Sequence, residues 1–428
     1  MRIAIFTFSY APFMTGIATG VHTRVKALLD LGHEILLIHP AADAQFAEET
    51  RQRKMAGLEE VADHPRFQST AYPTKPHLMQ PDHPEPLSHR KWSDTELLKA
   101  FQPDVIVVAE AAGMCGFSSL FWGGYRRAVG TEYSKLTGVP AVVLFETDWL
   151  SYAVRHFGRL LAAVIRRLLI PINKRFSQKY ACTYFHSEVL MKRYRENGLH
   201  PSEYLRFHGV DCERFKSSNV ALSPIPENGR PVLLFVGRMV QEKSIDELIR
   251  VVEIVRVEVP HVQMVFVGGG PAGPKIRQLA EQHPDHCTYW GEAFGNPLLG
   301  LYARAQVFLN PSASEAFCTT NLEAMASGTP VVAAGSGGNL EQVVDDVNGY
   351  LVTPHDPAAM AQRVIQILKS PELQQKLSQG ARDTGMEFDI RTCARHLEQA
   401  LQGLVDRAAV AGTTSNRVAQ EPAIEPQH

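Results

Sequence analysis

Residues 308–333, FLNPSASEAFCTTNLEAMASGTPVVA, predict a short apolar strand, a loop, a helix and a second apolar strand. Glu315 lies in the predicted loop and Glu323 lies eight positions later, inside the predicted helix. Between the two glutamates is a run of small, hydroxyl and amide residues, Cys318, Thr319, Thr320 and Asn321. Such residues can begin a helix and leave its first N–H groups free. A helix that begins beyond the carboxyl end of a strand is a ready site for a phosphate.

The two glutamates admit two interpretations. A carboxylate before the helix can accept hydrogen bonds from sugar hydroxyls, and one inside the helix can accept hydrogen bonds from the two hydroxyls of a ribose. Alternatively, Glu315 and Glu323 belong to an ordinary surface helix and only complement its dipole. The spacing alone does not decide between a ligand site and a solvated helix.

The stretch EAFCTTNLEAMASGTPVV resembles the nucleotide-sugar motif of the GT-B glycosyltransferases of family four, which has two glutamates separated by seven residues. Ala316 and Cys318 depart from that motif, since the family usually has glycines there. The segments GRMVQEKS (237–244), VFVGGGP (265–271) and HGVD (208–211) occur in the order and spacing of the same family, so the resemblance covers roughly residues 1–405.

The fold that this resemblance implies is α/β: a GT-B protein with two Rossmann-like, doubly wound domains facing across a cleft. The residues point the same way, because near-continuous apolar runs such as 3–8 and 232–236 are typical of strands buried on both faces of a parallel sheet. A proline-containing stretch without periodicity, 216–230, is the predicted linker. We therefore expect an acceptor-binding domain over 1–216, a nucleotide-sugar domain over 217–385, a helix packing back over 386–408 and a disordered tail over 409–428.

By matching position, Arg238 and Lys243 resemble the diphosphate ligands, Glu315 the sugar-hydroxyl ligand and Glu323 the ribose ligand. Two cations in a loop that follows a strand can both face a diphosphate, although alone they would be ordinary surface charges. The predicted donor site is completed by the helix start and by a loop glycine that lets the backbone approach a ligand; these residues are Cys318, Thr319, Thr320 and Gly16.

Glu146 departs from many relatives, which have a histidine after the strand that ends at Phe145. A carboxylate there can orient an acceptor, make a base-like contact or simply cap the structure. Thr147 and Asp148, which follow, are equally good ligand candidates. The predicted catalytic set is therefore Glu315, Glu146 and Asp148.

Three stretches resemble digalactosyldiacylglycerol synthases: GRMVQEKSIDELI, NPSASEAFCTTNLEA and FETDWLSYAVRHFG. This implies retaining, metal-independent transfer of galactose from UDP-galactose to a monogalactosyl lipid. A sulfoquinovosyl-, glucosyl- or mannosyltransferase with a lipid or soluble acceptor is an alternative, and a nucleotide-sugar epimerase or a non-catalytic sugar-binding protein is a more distant one. No cofactor beyond the nucleotide sugar is expected.

The composition of the chain limits which kinds of partner it can bind. A chain of 428 residues with a net charge of −2 has no overall attraction to nucleic acid, and its six scattered cysteines favour reduced thiols in the cytosol over a zinc site. However, residues 149–187 contain no acid, and seven cations alternate there with apolar residues: Arg155, Arg159, Arg166, Arg167, Lys174, Arg175 and Lys179. This stretch is either a core helix with a solvated basic face or a surface that binds anionic lipid. The second interpretation predicts a peripheral protein on the cytoplasmic side of a membrane.

Overall fold

The computed structural model describes residues 1–10, 16–41, 61–72, 74–76, 84–86, 94–109, 129–146, 148, 158, 163–164, 167, 170–171, 174–313 and 315–418. Within them the chain forms two α/β domains, each built on a parallel sheet, as the sequence predicts. No helix among these residues is long and apolar enough to cross a bilayer.

The amino-terminal sheet has the strand order β3-β2-β1-β6-β7-β8-β9. All its neighbouring strands are parallel. The first strand, β1, is formed by the apolar run Arg2–Thr7, whose central residues are fully buried. The other strands of this sheet, in chain order, are β2 (Glu34–Pro40), β3 (Phe67–Tyr72), β6 (Val105–Ala109), β7 (Ala141–Phe145), β8 (Cys182–Phe185) and β9 (Ser202–Tyr204). A small antiparallel pair, β4 (Thr74–Pro76) and β5 (Pro84–Pro86), stands apart.

The carboxyl-terminal sheet has the order β12-β11-β10-β13-β14-β15, again with all neighbours parallel. Its strands are β10 (Val232–Val236), β11 (Gln263–Val267), β12 (Cys287–Gly291), β13 (Val307–Asn310), β14 (Val331–Ala334) and β15 (Gly349–Val352). This is the doubly wound order: successive strands are added on one side of β10 up to β12, and from β13 onward on its other side. A crevice therefore opens beyond the carboxyl ends of β10 and β13.

Helices cover the two sheets. In the amino-terminal half they are α1 (Gly16–Asp30), α2 (Asp94–Phe101), α3 (Thr131–Thr137) and α4 (Glu188–Glu196). In the carboxyl-terminal half they are α5 (Ile245–Glu258), α6 (Gly273–Gln282), α7 (Asn296–Arg304), α8 (Thr319–Ala326), α9 (Asn339–Gln342), α10 (Pro357–Lys369), α11 (Pro371–Glu387) and α12 (Ile390–Val418). Short 3₁₀ turns occupy Ser217–Leu222 and Gln241–Lys243.

The last helix, α12, packs into the core of the amino-terminal domain. Its apolar residues Ile390, Cys393, Leu397, Leu401 and Leu404 share one hydrophobic cluster with β1 and α1. Such a return was expected for residues 386–408. The helix continues to Val418, so residues 409–418, which we predicted to be disordered, are helical.

The chain enters the carboxyl-terminal domain before the predicted boundary at residue 216. Val210, Cys212 and Phe215 already lie in a core cluster of that domain. The turn Ser217–Leu222 then lies against α7, where a Cβ at Gly300 would come within 2.3 Å of the backbone of Leu222. Within the stretch predicted as a linker, Ile225 is buried in the same core cluster, whereas Val220 and Leu222 are exposed.

Candidate active site

The loops that follow β10 and β11 contact each other closely at the crevice of the carboxyl-terminal domain. Gly268 and Gly270 have φ of +134° and +144°, and a Cβ at Gly268 would lie 1.9 Å from the carbonyl oxygen of Gly237. The backbone N–H of Met239 donates to the Gly269 carbonyl at 2.8 Å. Only glycine allows this approach, so the triple-glycine turn fixes the loop that carries Arg238. The Arg238 side chain is exposed.

Lys243 and Glu315 form an ion pair in which the Lys243 ammonium donates to Glu315 Oε1. Lys243 follows β10 and Glu315 follows β13, so the pair spans the crevice. Burial alone would lower the pKa of Lys243, but the charge and the hydrogen bond of Glu315, together with Cys318, outweigh burial and raise that pKa. Two predicted donor ligands of opposite charge thus neutralise each other.

The start of α8 matches the predicted anion site only in part. Cys318 is the N-cap residue, and its side chain makes no capping hydrogen bond, so the first N–H groups of α8 are left for a ligand or solvent. The Cys318 thiol is buried, its pKa is raised to about 12 by burial and then by Glu315, and it contacts Thr320 Oγ1 at 3.2 Å and the Asn310 amide at 3.1 Å. Cys318 therefore contributes its backbone position, since its thiol faces inward.

A buried amide network, absent from our predictions, supports this helix start. The Asn310 amide donates to the side-chain oxygens of Asn321 and Asn339, each at 3.0 Å, and Asn321 donates to Gln342 at 3.0 Å. These residues come from β13, α8 and α9 and are fully buried or nearly so. Hydrogen-bonded amides at three element ends fix the relative position of those ends.

Glu323 accepts a hydrogen bond from the Tyr302 hydroxyl at 2.6 Å. Burial raises the pKa of Glu323 to about 7, although Tyr302 and the charge of Arg214 oppose the shift. The carboxyl group therefore holds its proton more strongly than a solvated surface glutamate does. This excludes the interpretation of Glu323 as a solvated residue that only complements the helix dipole.

Across the cleft, Glu146 is buried in an ion pair with Arg24 of α1, with Arg24 Nη2 2.8 Å from Glu146 Oε1. Burial alone would raise the pKa of Glu146, but Arg24 and His208 lower it to about 2. His186, which follows β8, belongs to the same cluster, and burial lowers its pKa to about 3. Glu146 is therefore a fixed anion surrounded by one arginine and two histidines.

The remaining predicted residues lie elsewhere or make structural contacts. Asp148 accepts hydrogen bonds from Arg193 and, at 3.4 Å, from the Tyr194 hydroxyl, both on α4. Gly16, which was predicted to lie in a loop, is the exposed first residue of α1. Thr147 lies outside the described residues.

The structure thus brings Lys243, Glu315, Cys318 and Thr319 together around one crevice, with Glu323 deeper in the same helix. The sequence did not predict His208 as a site residue, although its ring lies 3.1 Å from Thr319 Oγ1 and joins Glu146 to the donor side. The histidine in HGVD was the available signal. In the part of the chain that is described, no group of three or more His, Cys, Asp or Glu residues is placed to hold a metal ion.

Known proteins resemble this chain over one domain or over most of its length. Residues 223–384 match the family model "Glycosyl transferases group 1". The chain is 28% identical over 356 residues to a GDP-mannose-dependent alpha-mannosyltransferase of Mycolicibacterium smegmatis, covering 82% of this chain and 84% of the relative. It is also 28% identical over 302 residues to the sulfoquinovosyl transferase SQD2 of Arabidopsis thaliana, covering 68% of this chain and 55% of that protein.

Solved structures share the fold. A sucrose-phosphate synthase from Thermosynechococcus elongatus superposes with a TM-score of 0.69 at 17% identity, over 95% of this chain and all of the other. The Anabaena protein HepE in complex with UDP gives a TM-score of 0.66 at 18% identity, over 94% of this chain and all of that one. The chain therefore has the GT-B fold, and its carboxyl-terminal domain matches the model of the group 1 glycosyltransferases.

Proposed function

We propose that this protein transfers a hexose from a nucleotide sugar bound on the carboxyl-terminal domain to an acceptor bound on the amino-terminal domain. The observation that carries the proposal is the Lys243–Glu315 pair at the uncapped start of α8. The diphosphate of a donor can bind the Lys243 ammonium and the helix N–H groups, while the sugar hydroxyls can donate hydrogen bonds to the Glu315 carboxylate. The two residues of one ion pair would then bind the two parts of the donor.

The proposed reaction is retaining and needs no metal. The bond from the anomeric carbon to the diphosphate breaks, a bond to the acceptor oxygen forms on the same face, and the acceptor proton passes to a leaving phosphate oxygen. Lys243, Arg238 and the helix start supply positive charge where the diphosphate gains negative charge. Retention is supported by the motif resemblance, and the anomeric proton coupling of the product in an NMR spectrum tests it.

For the donor we favour GDP-mannose. Three curated relatives are GDP-mannose-dependent alpha-mannosyltransferases that align over about four-fifths of this chain. The second candidate is UDP-galactose with a monogalactosyl lipid as acceptor. It is favoured by the FCTTNLEA stretch, which resembles digalactosyldiacylglycerol synthases.

The pure protein should be incubated separately with GDP-mannose, UDP-galactose, UDP-glucose and UDP-sulfoquinovose, and release of the nucleoside diphosphate should be followed. We expect slow hydrolysis of one donor and faster turnover with the matching acceptor. The Lys243→Ala variant serves as control, since a contaminating hydrolase would persist in it. Hydrolysis of UDP-galactose alone would reject the mannose donor, and hydrolysis of no donor would count against the enzyme assignment.

We further propose that the acceptor is lipid-borne and that the protein binds the cytoplasmic face of a membrane peripherally. The support is the acid-free basic stretch, of which Arg167, Lys174, Arg175 and Lys179 are exposed. Arg155, Arg159 and Arg166 lie outside the described residues. Exposed cations on the acceptor domain would face anionic lipid headgroups, and the net charge of −2 makes that attraction local.

A further inference from the structure

A chain of polar side chains joins the amino-terminal domain to the donor helix. Arg24 holds Glu146 at 2.8 Å, Glu146 Oε2 lies 3.6 Å from His208 Nδ1, and His208 Nε2 lies 3.1 Å from Thr319 Oγ1. Thr319 is the first residue of α8. The order carboxylate, imidazole, hydroxyl therefore ends at the proposed diphosphate site.

The His208 ring has little freedom to move. It is 7% exposed, and a Cβ at Gly20 of α1 would lie 2.7 Å from its Cε1, so α1 leaves just enough room for it. The Phe317 ring packs against it edge-on, with centroids 4.9 Å apart. The position of both ring nitrogens is thereby fixed relative to Glu146 and Thr319.

The ring chemistry gives Thr319 two states. Glu146 is ionised and faces Nδ1, so it favours a hydrogen on Nδ1 in either charge state of the ring. In the neutral ring, Nε2 is then an acceptor and takes the hydroxyl hydrogen of Thr319. In the imidazolium, Nε2 donates to Oγ1, and the hydroxyl hydrogen of Thr319 is free to donate to an anion.

We propose that His208 is a positioning residue that, held by Glu146, orients the Thr319 hydroxyl toward the diphosphate of the bound donor when the ring is protonated. The inference rests on the proposed function, because it takes Thr319 as part of the donor site. The charged and titratable groups that face the ring are Arg24 from α1, Glu146 after β7 and His186 after β8. In this arrangement the acceptor domain adjusts how the other domain holds the leaving group.

The test measures binding of GDP and UDP by titration calorimetry at pH 6 and pH 8, for the wild type, His208→Gln, Thr319→Val and the double variant. We expect each single variant to bind about ten- to 150-fold more weakly at pH 6, the size of one charge-assisted hydrogen bond. The double variant should be no weaker than either single variant, and the loss should shrink at pH 8. Other groups titrate in all four proteins, so the differences between them isolate His208.

Thr319→Ser is the matched control, because it keeps the hydroxyl and should bind like the wild type. If His208→Gln does not fold, the comparison of Thr319→Ser with Thr319→Val at the two pH values still carries the test. Additive losses, or equal losses at both pH values, would overturn the role of His208. A wild type that binds neither nucleotide would contradict the donor site itself, which is a different failure.

Discussion

Glu341 in the carboxyl-terminal domain accepts a hydrogen bond from the Ser187 hydroxyl of the amino-terminal domain at 2.6 Å. The same carboxylate accepts hydrogen bonds from the backbone N–H groups of Val189, at 2.9 Å, and of Glu188, at 3.2 Å. These are the first N–H groups of α4, so an anion from one domain caps a helix of the other. The contact holds the two domains together beside the cleft.

Replacing Glu341 with alanine should weaken this contact between the domains. It removes three charge-assisted hydrogen bonds, and we expect a loss of about 1.5–3 kcal/mol in the free energy of unfolding, measured by denaturant titration. Glu387→Ala is the control, because Glu387 also reaches across the domains, to Arg206, but is 62% exposed. Equal losses in the two variants would show that the capping geometry contributes nothing special.

Lys243→Ala and Glu315→Gln should change nucleotide binding in opposite directions. Loss of the cation should weaken GDP or UDP binding by about 1.5–3 kcal/mol, whereas loss of the carboxylate frees Lys243 from its partner and should strengthen it. Glu315→Gln should nevertheless lower turnover of the full donor, which loses its sugar contact. Calorimetry and a turnover assay separate the two effects. Lys275→Ala, a change of an exposed lysine, is the control, and weaker nucleotide binding by Glu315→Gln would reject the assignment.

Donor affinity should rise with pH through about 7, the raised pKa of Glu323. Only the ionised carboxylate can accept both hydroxyls of a ribose, so binding expels a proton. In the free protein the sign is reversed: the folded state keeps a proton that the unfolded chain loses near pH 4.5, so this group's contribution to stability falls as pH rises from about 4.5 to 7.

Tyr302→Phe tests this assignment of the pH dependence. The Tyr302 hydroxyl lowers the pKa of Glu323, and its removal should move the rise in affinity to higher pH. Glu323→Gln should remove that rise altogether. A pH profile of nucleoside binding that is identical in all three proteins would mean that Glu323 does not contact the ribose.

Chelation should leave turnover unchanged. The proposed leaving-group stabilisation comes from Lys243, Arg238 and the α8 start, which do not depend on a divalent ion. The measurement is the initial rate after dialysis against EDTA, with manganese or magnesium added back. A rate that falls and is restored by either ion would overturn the metal-free mechanism.

Charge reversal of Lys174, Arg175 and Lys179 to glutamate should reduce sedimentation with anionic vesicles. Each cation close to such a surface contributes about 1 kcal/mol, and the attraction should fade as the Debye length shrinks from about 10 Å at 0.1 M salt to about 3 Å at 1 M. All three side chains are exposed, so the fold should survive.

Reversal of three exposed lysines of the other domain, Lys275, Lys369 and Lys376, changes the net charge equally and is the matched control. Donor hydrolysis should be intact in both triple variants. Undiminished vesicle binding by the first variant would remove the membrane role from this stretch.

The sequence predicted what depends on local pattern. Apolar runs such as Val232–Val236 and Val307–Asn310 became parallel strands, and the turns after them carry the predicted charges. Gly16 was interpreted as a loop glycine, whereas it begins α1, and Gly20 in the same helix makes room for His208.

Contacts between distant positions could not be predicted in this way. Arg24 and Glu146 are separated by 122 positions, and Lys243 and Glu315 by 72. No periodicity encodes such pairs, since they arise only when the strand order brings the loop ends together. For the same reason the sequence left three possible roles for Glu146. Only the structure shows that Arg24 and His208 lie beside its carboxylate.

The return of α12 to the first domain has a consequence for synthesis on the ribosome. The core of the amino-terminal sheet is completed by Ile390 to Leu404, which are translated after the whole of the second domain. At 5–20 residues per second, roughly 200 intervening residues take on the order of 10–40 s. During that time the apolar cluster around β1 and α1 stays uncovered, so the nascent chain is a natural client for chaperones. The second domain, whose cores need no part of α12, can fold first although it emerges later.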